Sequence, residues 1–155
     1  GFMAYADIIR SAFPTMEDIA DLIEGIASAD MPTTLTTYTA NPAASGSMTW
    51  TSTTTDACEY VRIGKACWVI IKVRGTVGGT LSNNLFVDLP FTARATGGGA
   101  ALEFPALVAS NSALFTPGIG YIGSSATQVG FTLNGGGNWT AGIGGVAANF
   151  IYRIA

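Results

Sequence analysis

The stretch EYVRIGKACWVIIKVRGTVGG, residues 59–79, decides the fold that the sequence predicts. It holds two runs rich in β-branched and aromatic residues, which Gly64-Lys65 separates and Gly78-Gly79 ends. Two such runs around a two-residue glycine-containing turn predict an antiparallel β-hairpin. The hairpin contains no acid, base or nucleophile arranged for chemistry, so its residues indicate a structural role.

The turn also predicts which side chains share a face of the hairpin. One face carries Tyr60, Arg62, Cys67, Val69, Ile71 and Val73. The other carries Glu59, Val61, Ile63, Trp68, Ile70, Lys72 and Arg74. A strand that is apolar on both faces is typical of a buried position, so a loop or a neighbouring subunit should cover Trp68 and Ile70. The low charge of the chain favours the subunit.

The same register places the two cysteines of the chain apart. It pairs Arg62 with Cys67 and Cys58 with Ile71, a separation too large for a direct disulfide. We therefore expect both cysteines to be small core residues, and they leave the redox compartment of the protein undetermined.

Short runs of Val, Ile, Thr and aromatic residues continue along the chain, with Gly, Ser, Asn and Pro between them. Nine short strands without an intervening helix predict a mainly β fold, a jelly-roll-like antiparallel β-sandwich over residues 32–155. The predicted strands are Leu35–Thr39, Ser47–Thr53, Ala57–Ile63, Ala66–Val77, Asn84–Leu89, Ala101–Ala109, Gly118–Gly123, Gln128–Leu133 and Val146–Ile154.

Residues 1–31 are predicted to form a short α-helical segment for oligomerisation or attachment. Thr15 can cap a helix with Asp18 at the capping-box spacing. The apolar residues Met16, Ile19, Ile23 and Ile26 follow a helical stripe, and the acids Glu17, Asp18, Asp21 and Glu24 lie among them. The stripe is compatible with a trimer seam or with packing on the chain's own domain. The acids form a candidate attachment face or a solvated one.

Composition limits the classes of partner. The 155 residues suit one domain, and the charged fraction of 11% is low for a globular protein, which favours oligomerisation. The sequence has no basic stripe for nucleic acid and no apolar run long enough to span a membrane, so we expect neither nucleic-acid binding nor membrane insertion.

Catalytic and metal-binding patterns are absent from the sequence. There is no histidine and no Cys-x-x-Cys pair, so we expect no enzyme activity, no metal and no cofactor. The glycine clusters at 96–101 and 134–139 lack the features of a phosphate loop and are predicted to be connections. Trp139 could stack on a sugar or close the sandwich from inside. The candidate ligand-binding loops carry Asn83, Asn134, Asn138 and Trp139.

The segment Tyr38–Ala93 resembles the terminal β-domains of bacteriophage virion appendages. The resemblance rests on a strand ending in Ile-Gly-Lys, a Gly-Thr-x-Gly-Gly loop and a strand closing in Leu-Pro-Phe, and the end NFIYRI (Asn149–Ile154) is of the same style. The residues that carry it are Tyr60, Arg62, Ile63, Gly64, Lys65, Gly75, Thr76, Gly78, Gly79, Leu89, Pro90 and Phe91. Such domains are similar to jelly rolls of the tumour-necrosis-factor and complement type and typically form trimers.

The resemblance implies a non-enzymatic homotrimer on the surface of a phage particle, with other virion proteins of the capsid or tail as partners. Three alternatives remain open: a capsid decoration protein or head appendage, a tail-fibre or spike tip that binds a host surface glycan, and a secreted trimeric jelly-roll ligand or lectin. Gly1-Phe2 resembles a cloning remnant. A native start at Met3 would favour the decoration protein, and an internal Met3 would favour the tail fibre.

Overall fold

The computed structural model describes residues 34–155, and Leu35–Ala155 form one compact unit. The predicted helical segment, residues 1–31, lies outside the described residues. Throughout residues 34–155 the chain forms strands, turns and irregular segments and no helix. No helix in this part of the chain is therefore long and apolar enough to cross a membrane.

Nine antiparallel strands form a single curled sheet, in agreement with the predicted mainly β fold. Along the sheet their order is β1-β3-β4-β9-β6-β7-β8-β5-β2. The strands are β1 Thr36–Thr37, β2 Ala43–Ala44, β3 Met48–Ile63, β4 Ala66–Gly79, β5 Leu85–Asp88, β6 Ala100–Ser110, β7 Thr116–Gly123, β8 Gln128–Leu133 and β9 Gly142–Arg153.

The concave side of the curled sheet holds the hydrophobic core. Its fully buried side chains come from both halves of the sheet, among them Val69, Ile71 and Val73 of β4, Val87 of β5, Val129 and Phe131 of β8, and Val146 of β9. Tyr152 of β9 links the sheet to the segment that follows β5, because its hydroxyl donates to the carbonyl of Phe91 at 2.7 Å. The curl thus brings strands that are distant in the sheet order against one core.

The β3–β4 hairpin has the predicted register. Ile63 pairs with Ala66, Arg62 with Cys67, and Cys58 with Ile71. Gly64 has φ 58, which suits the first central position of a type II′ hairpin turn. Both cysteines are buried and free, as expected.

Residues 47–63 differ from the prediction, which placed two strands there with a break before Ala57. The structure has one strand, β3, which follows β4 along its whole length through two register shifts, between Thr51 and Thr54 and between Thr55 and Ala57. Ser52 lies in the left-handed region at φ 51. Polar residues that resemble a loop in the sequence therefore form β-bulges, which bend β3 without ending its pairing with β4.

Strand β9 begins at Gly142, four residues before the predicted start. The glycines in this stretch suggest a turn, but here they allow close packing. A Cβ atom at Gly144 would collide with the side chain of Val77 on β4. The carbonyl of Gly144 also accepts a hydrogen bond from the indole of Trp50 at 3.2 Å. Glycine at position 144 therefore leaves room for Val77, and the indole of Trp50 reaches from β3 to the β9 backbone.

Strands β6 and β9 separate part of the way along the sheet. They pair only from Leu107 opposite Ala147 to Ser110 opposite Gly144. Continuing this register would bring Pro105 opposite Asn149, and proline has no N–H to donate to a ladder. The separation of the strands at Pro105 leaves one side of β9 without a neighbouring strand over the next residues.

Replacement of Gly75 by Ala should destabilise the fold. A Cβ at this position would lie 2.8 Å from the carbonyl oxygen of Thr51 and 2.9 Å from the indole nitrogen of Trp50. Overpacking of this kind typically costs about 1–3 kcal/mol. Gly137 is the matched control, because a Cβ there meets nothing within 4 Å. Urea unfolding should show a loss for Gly75→Ala and little change for Gly137→Ala, and equal midpoints for both variants would contradict the packing described here.

Candidate functional site

The carboxylates Asp56 and Asp88 are held by polar neighbours on different parts of the sheet. Asp56 accepts hydrogen bonds from Arg74, one of them 2.8 Å long, and this guanidinium lowers the pKa of the Asp56 carboxyl. Asp88 accepts from the amide of Asn41 at 2.7 Å. Across residues 34–155, no three His, Cys, Asp or Glu side chains come together as a metal site would require.

A cluster of buried hydroxyl and thiol groups lies on the core side of the hairpin. Burial raises the pKa of the Cys58 and Cys67 thiols and of the Tyr38 and Tyr152 phenols, so all four groups are protonated at neutral pH. Tyr38 donates its hydroxyl proton to the carbonyl of Asp88 at 2.8 Å. A buried, protonated thiol is a poor nucleophile, and both cysteines pack in the hydrophobic core.

The convex face of the hairpin carries large apolar side chains. We define the outer apolar patch as Val61, Ile63, Trp68, Ile70 and Ile151. Pairing aligns Val61, Trp68 and Ile151 in one row across β3, β4 and β9. Trp68 is 41% exposed and Ile151 is 64% exposed. Within the described part of the chain, this row therefore faces outward, away from the core.

The sequence predicted part of this patch. Trp68 and Ile70, the predicted interface residues of the hairpin, both lie on the outer face, where Trp68 donates its indole N–H to Asn149 Oδ1 at 3.0 Å. Sequence reasoning missed Ile151. Because side chains alternate along the strand NFIYRI, Ile151 faces the opposite side from Phe150 and Tyr152, which are buried. This alternation in the sequence could have identified Ile151 as an outer residue.

The remaining interface and attachment candidates come from the N-terminal segment. Met16, Ile19, Ile23 and Ile26 of the apolar stripe, and Glu17, Asp18, Asp21 and Glu24 of the acidic face, lie outside the described residues.

Two of the candidate ligand loops meet at another part of the sheet. The indole of Trp139 is fully buried and donates to the carbonyl of Asn83 at 3.1 Å, and the Trp139 amide donates to Ser82 at 2.9 Å. Of the two alternatives for Trp139, the structure shows the buried one, so this ring has no free face for a sugar. Asn83, Asn134 and Asn138, in the two loops that Trp139 joins, are exposed.

Comparison of the chain with family models, with curated proteins and with solved structures gave no match.

The buried thiols should make stability fall at alkaline pH. The fold raises the pKa of Cys58 and Cys67 above the ordinary 9.0, so the stabilisation is complete below that pH and is lost as the pH rises through the folded-state pKa values. In the pH range between the unfolded-state and folded-state pKa values, the unfolded chain loses thiol protons that the folded chain retains. Between about pH 8 and pH 10, the free energy of unfolding should fall more steeply for the natural chain than for Cys58→Ala with Cys67→Ala. Parallel slopes would show that the thiols do not contribute.

Proposed function

We propose that the chain is a non-enzymatic structural protein on the surface of a phage virion and that it assembles as a homotrimer. The observation that carries the proposal is the outer apolar patch. It presents a tryptophan and three isoleucines on the face of the hairpin opposite the core. Contiguous exposed apolar surface of this kind marks an interaction site in soluble proteins.

Energetics support self-association through the patch. Burial of about 400 Å² of apolar surface per subunit would contribute roughly 10 kcal/mol before the entropy cost of association. Trp68 stands in the middle row of the patch, where its ring offers a large contact area and its N–H is already bonded to Asn149. Buried aromatic residues of this kind dominate the energetics of many interfaces.

The proposed architecture is a jelly-roll-like sandwich, in which the two halves of the curled sheet act as its two layers. The positions of the residues that carry the resemblance to phage appendage domains support this architecture. Gly64 forms the hairpin turn, and Gly79 ends β4 with φ 71. Phe91, at the end of the Leu-Pro-Phe run, packs edge-on against Tyr60 at 5.1 Å between ring centroids. These residues shape the domain rather than a site.

The proposal has two versions, which differ in the location of the chain in the virion. In one, the chain is a capsid decoration protein or head appendage that attaches through the acidic face of the N-terminal segment. In the other, it is a tail-fibre or spike tip whose main role is to bind a host glycan. The exposed Asn83, Asn134 and Asn138, in the two loops that Trp139 joins, favour the second version as an alternative, since amide groups both donate and accept hydrogen bonds.

The oligomeric state of the full chain tests the assembly. Light scattering at about 10 μM should give the mass of a trimer, because burial of the apolar patch between subunits would stabilise association. Trp68→Ser with Ile151→Ser should reduce it to a monomer. Leu114→Ser is the matched control, since Leu114 is 76% exposed and lies between β6 and β7. A monomeric natural chain, or a trimer that survives the double substitution, would refute assembly through the patch.

The virion location can be tested by binding of the labelled full chain. Co-sedimentation with phage heads lacking this protein, reduced by Glu17→Lys with Asp21→Lys, is expected for a decoration protein. Co-sedimentation with host cells, reduced by Asn134→Ala with Asn138→Ala, is expected for a fibre tip. Asn111→Ala serves as a control for amide loss on an exposed turn. Binding to neither particle nor cell would count against a virion role.

A further inference from the structure

One side of β9 is an unpaired strand edge within the sheet. On its other side β9 pairs with β4 as far as Arg153 opposite Ala66. Its pairing with β6 stops at Ala147. Among the described residues, the next backbone partner on this side is Arg94, whose amide donates to the carbonyl of Arg153 at 2.9 Å. The intervening residues have no neighbouring strand there.

The direction of the free backbone groups follows from the alternation of antiparallel pairing. The amide of Ile154 donates to Lys65, towards β4, at 2.8 Å, whereas the carbonyl of Arg153 faces the opposite side. Every second residue of a strand turns its N–H and C=O the same way. Asn149 and Ile151 therefore point their backbone groups away from β4, into the gap.

The gap is a cleft with an apolar lining. We define the β6–β9 cleft as two depressions beside β9, one of about 470 Å³ at Ile151–Arg153 and one of about 510 Å³ at Ala147–Asn149. The second also extends over the outer face of the sheet to Ala57 and Lys72. The first is bounded by Leu102, Ile122, Ile151 and Tyr152. The second is bounded by the β6 residues Pro105, Ala106 and Leu107. Together they combine a free strand edge with apolar side walls.

The rim of the cleft is basic. Of the six Lys and Arg residues in the described chain, four line it: Lys65, Lys72, Arg94 and Arg153. All four are exposed at the surface, and none of the residues that line the cleft is acidic. Carboxylates of a bound segment that reach this rim would strengthen its binding, because charge-assisted hydrogen bonds are stronger than neutral ones.

We propose that the β6–β9 cleft binds an extended segment of a partner protein, one that alternates apolar with acidic residues and adds as a strand to the free edge of β9. Each feature of the cleft selects one property of the segment. The unpaired N–H and C=O of Asn149 and Ile151 require an extended backbone. The apolar walls accept every second side chain, and the basic rim selects carboxylates. This inference does not depend on a virion. The cleft shares Ile70 and Ile151 with the outer apolar patch, so a bound segment and a neighbouring subunit on the patch would compete.

Pro105 explains why the cleft stays open. With an N–H at position 105, β6 could continue its ladder to Asn149 and close over the edge. Leu107 and Pro105 turn their backbone groups to the same side, because they are two residues apart in a strand. Proline on a strand edge prevents pairing there and keeps the edge available to another segment.

Binding of synthetic peptides to the full chain tests the proposal by fluorescence anisotropy. The probe is a labelled nine-residue peptide that alternates isoleucine or valine with glutamate or threonine. We expect it to bind at least about tenfold more tightly than the same peptide with lysine in place of glutamate. N-methylation of the amides in one register should abolish binding, and methylation in the other register should not, because alternate amides face β9.

Variants of the protein locate the binding site. Arg94→Ala and Arg153→Ala should each weaken binding of the glutamate peptide several-fold. Arg62→Ala, which removes an exposed cation that does not line the cleft, should not. Pro105→Thr should weaken binding at least about tenfold by allowing β6 to pair with β9. Pro117→Thr is its control, a strand proline outside the lining of the cleft. Circular dichroism of each variant checks that the sheet has formed.

Three results would overturn the proposal. Equal affinity for both N-methylated registers would show that the backbone of β9 is not used. Binding of decanoate in competition with a fluorescent fatty acid, with no peptide bound, would identify a pocket for anionic amphiphiles instead. If no peptide binds at about 1 mM, the cleft has no measurable affinity for an added strand.

Discussion

The two-residue turn at Gly64-Lys65 sets the register of the β3–β4 hairpin, and the other features of the sheet depend on that register. With Ile63 opposite Ala66, the residues Cys67, Val69 and Ile71 face the core. A slip of one residue would exchange the two faces, because side chains alternate along a strand. It would then place Trp68 and Ile70 inside, together with the charged side chains of Lys72 and Arg74 from the middle of β4.

The sheet edges on the two sides of this hairpin differ in how accessible they are to another strand. On one side β3 pairs with β1 only at Glu59 and Tyr60, so the rest of β3 is an edge. Its bulges around Ser52 and the Asp56–Arg74 ion pair disturb the regular edge that another chain could use. On the other side β9 pairs with β4 along its length but loses β6 at Pro105. One exposed edge of the sheet is thus blunted, while the inner edge beside the cleft is left regular, apolar and basic.

The sequence allowed the hairpin and the strand content to be predicted because both depend on local patterns. Alternation over residues 66–73 and a glycine at the turn are sufficient for the register. The continuity of β3 could not be predicted, because a run of threonines and serine has the composition of a loop. Its pairing depends on β4, which supplies Arg74 for Asp56 and the backbone for the bulged segment. The start of β9 was missed because its glycines make room for residues far away in the sequence, such as Val77 beside Gly144.

The candidate site shows the same division. By itself, the sequence determined the facing of side chains within each strand, since a period of two residues is a property of the backbone; hence Trp68 and Ile70 were assigned to one face. The tertiary structure alone decided which strands are neighbours. It added Ile151 to that face through β4–β9 pairing, buried Trp139 by joining it to Asn83, 56 residues away, and opened a cleft where β6 leaves β9. These outcomes depend on contacts between distant segments, and local alternation carries no information about which segments meet.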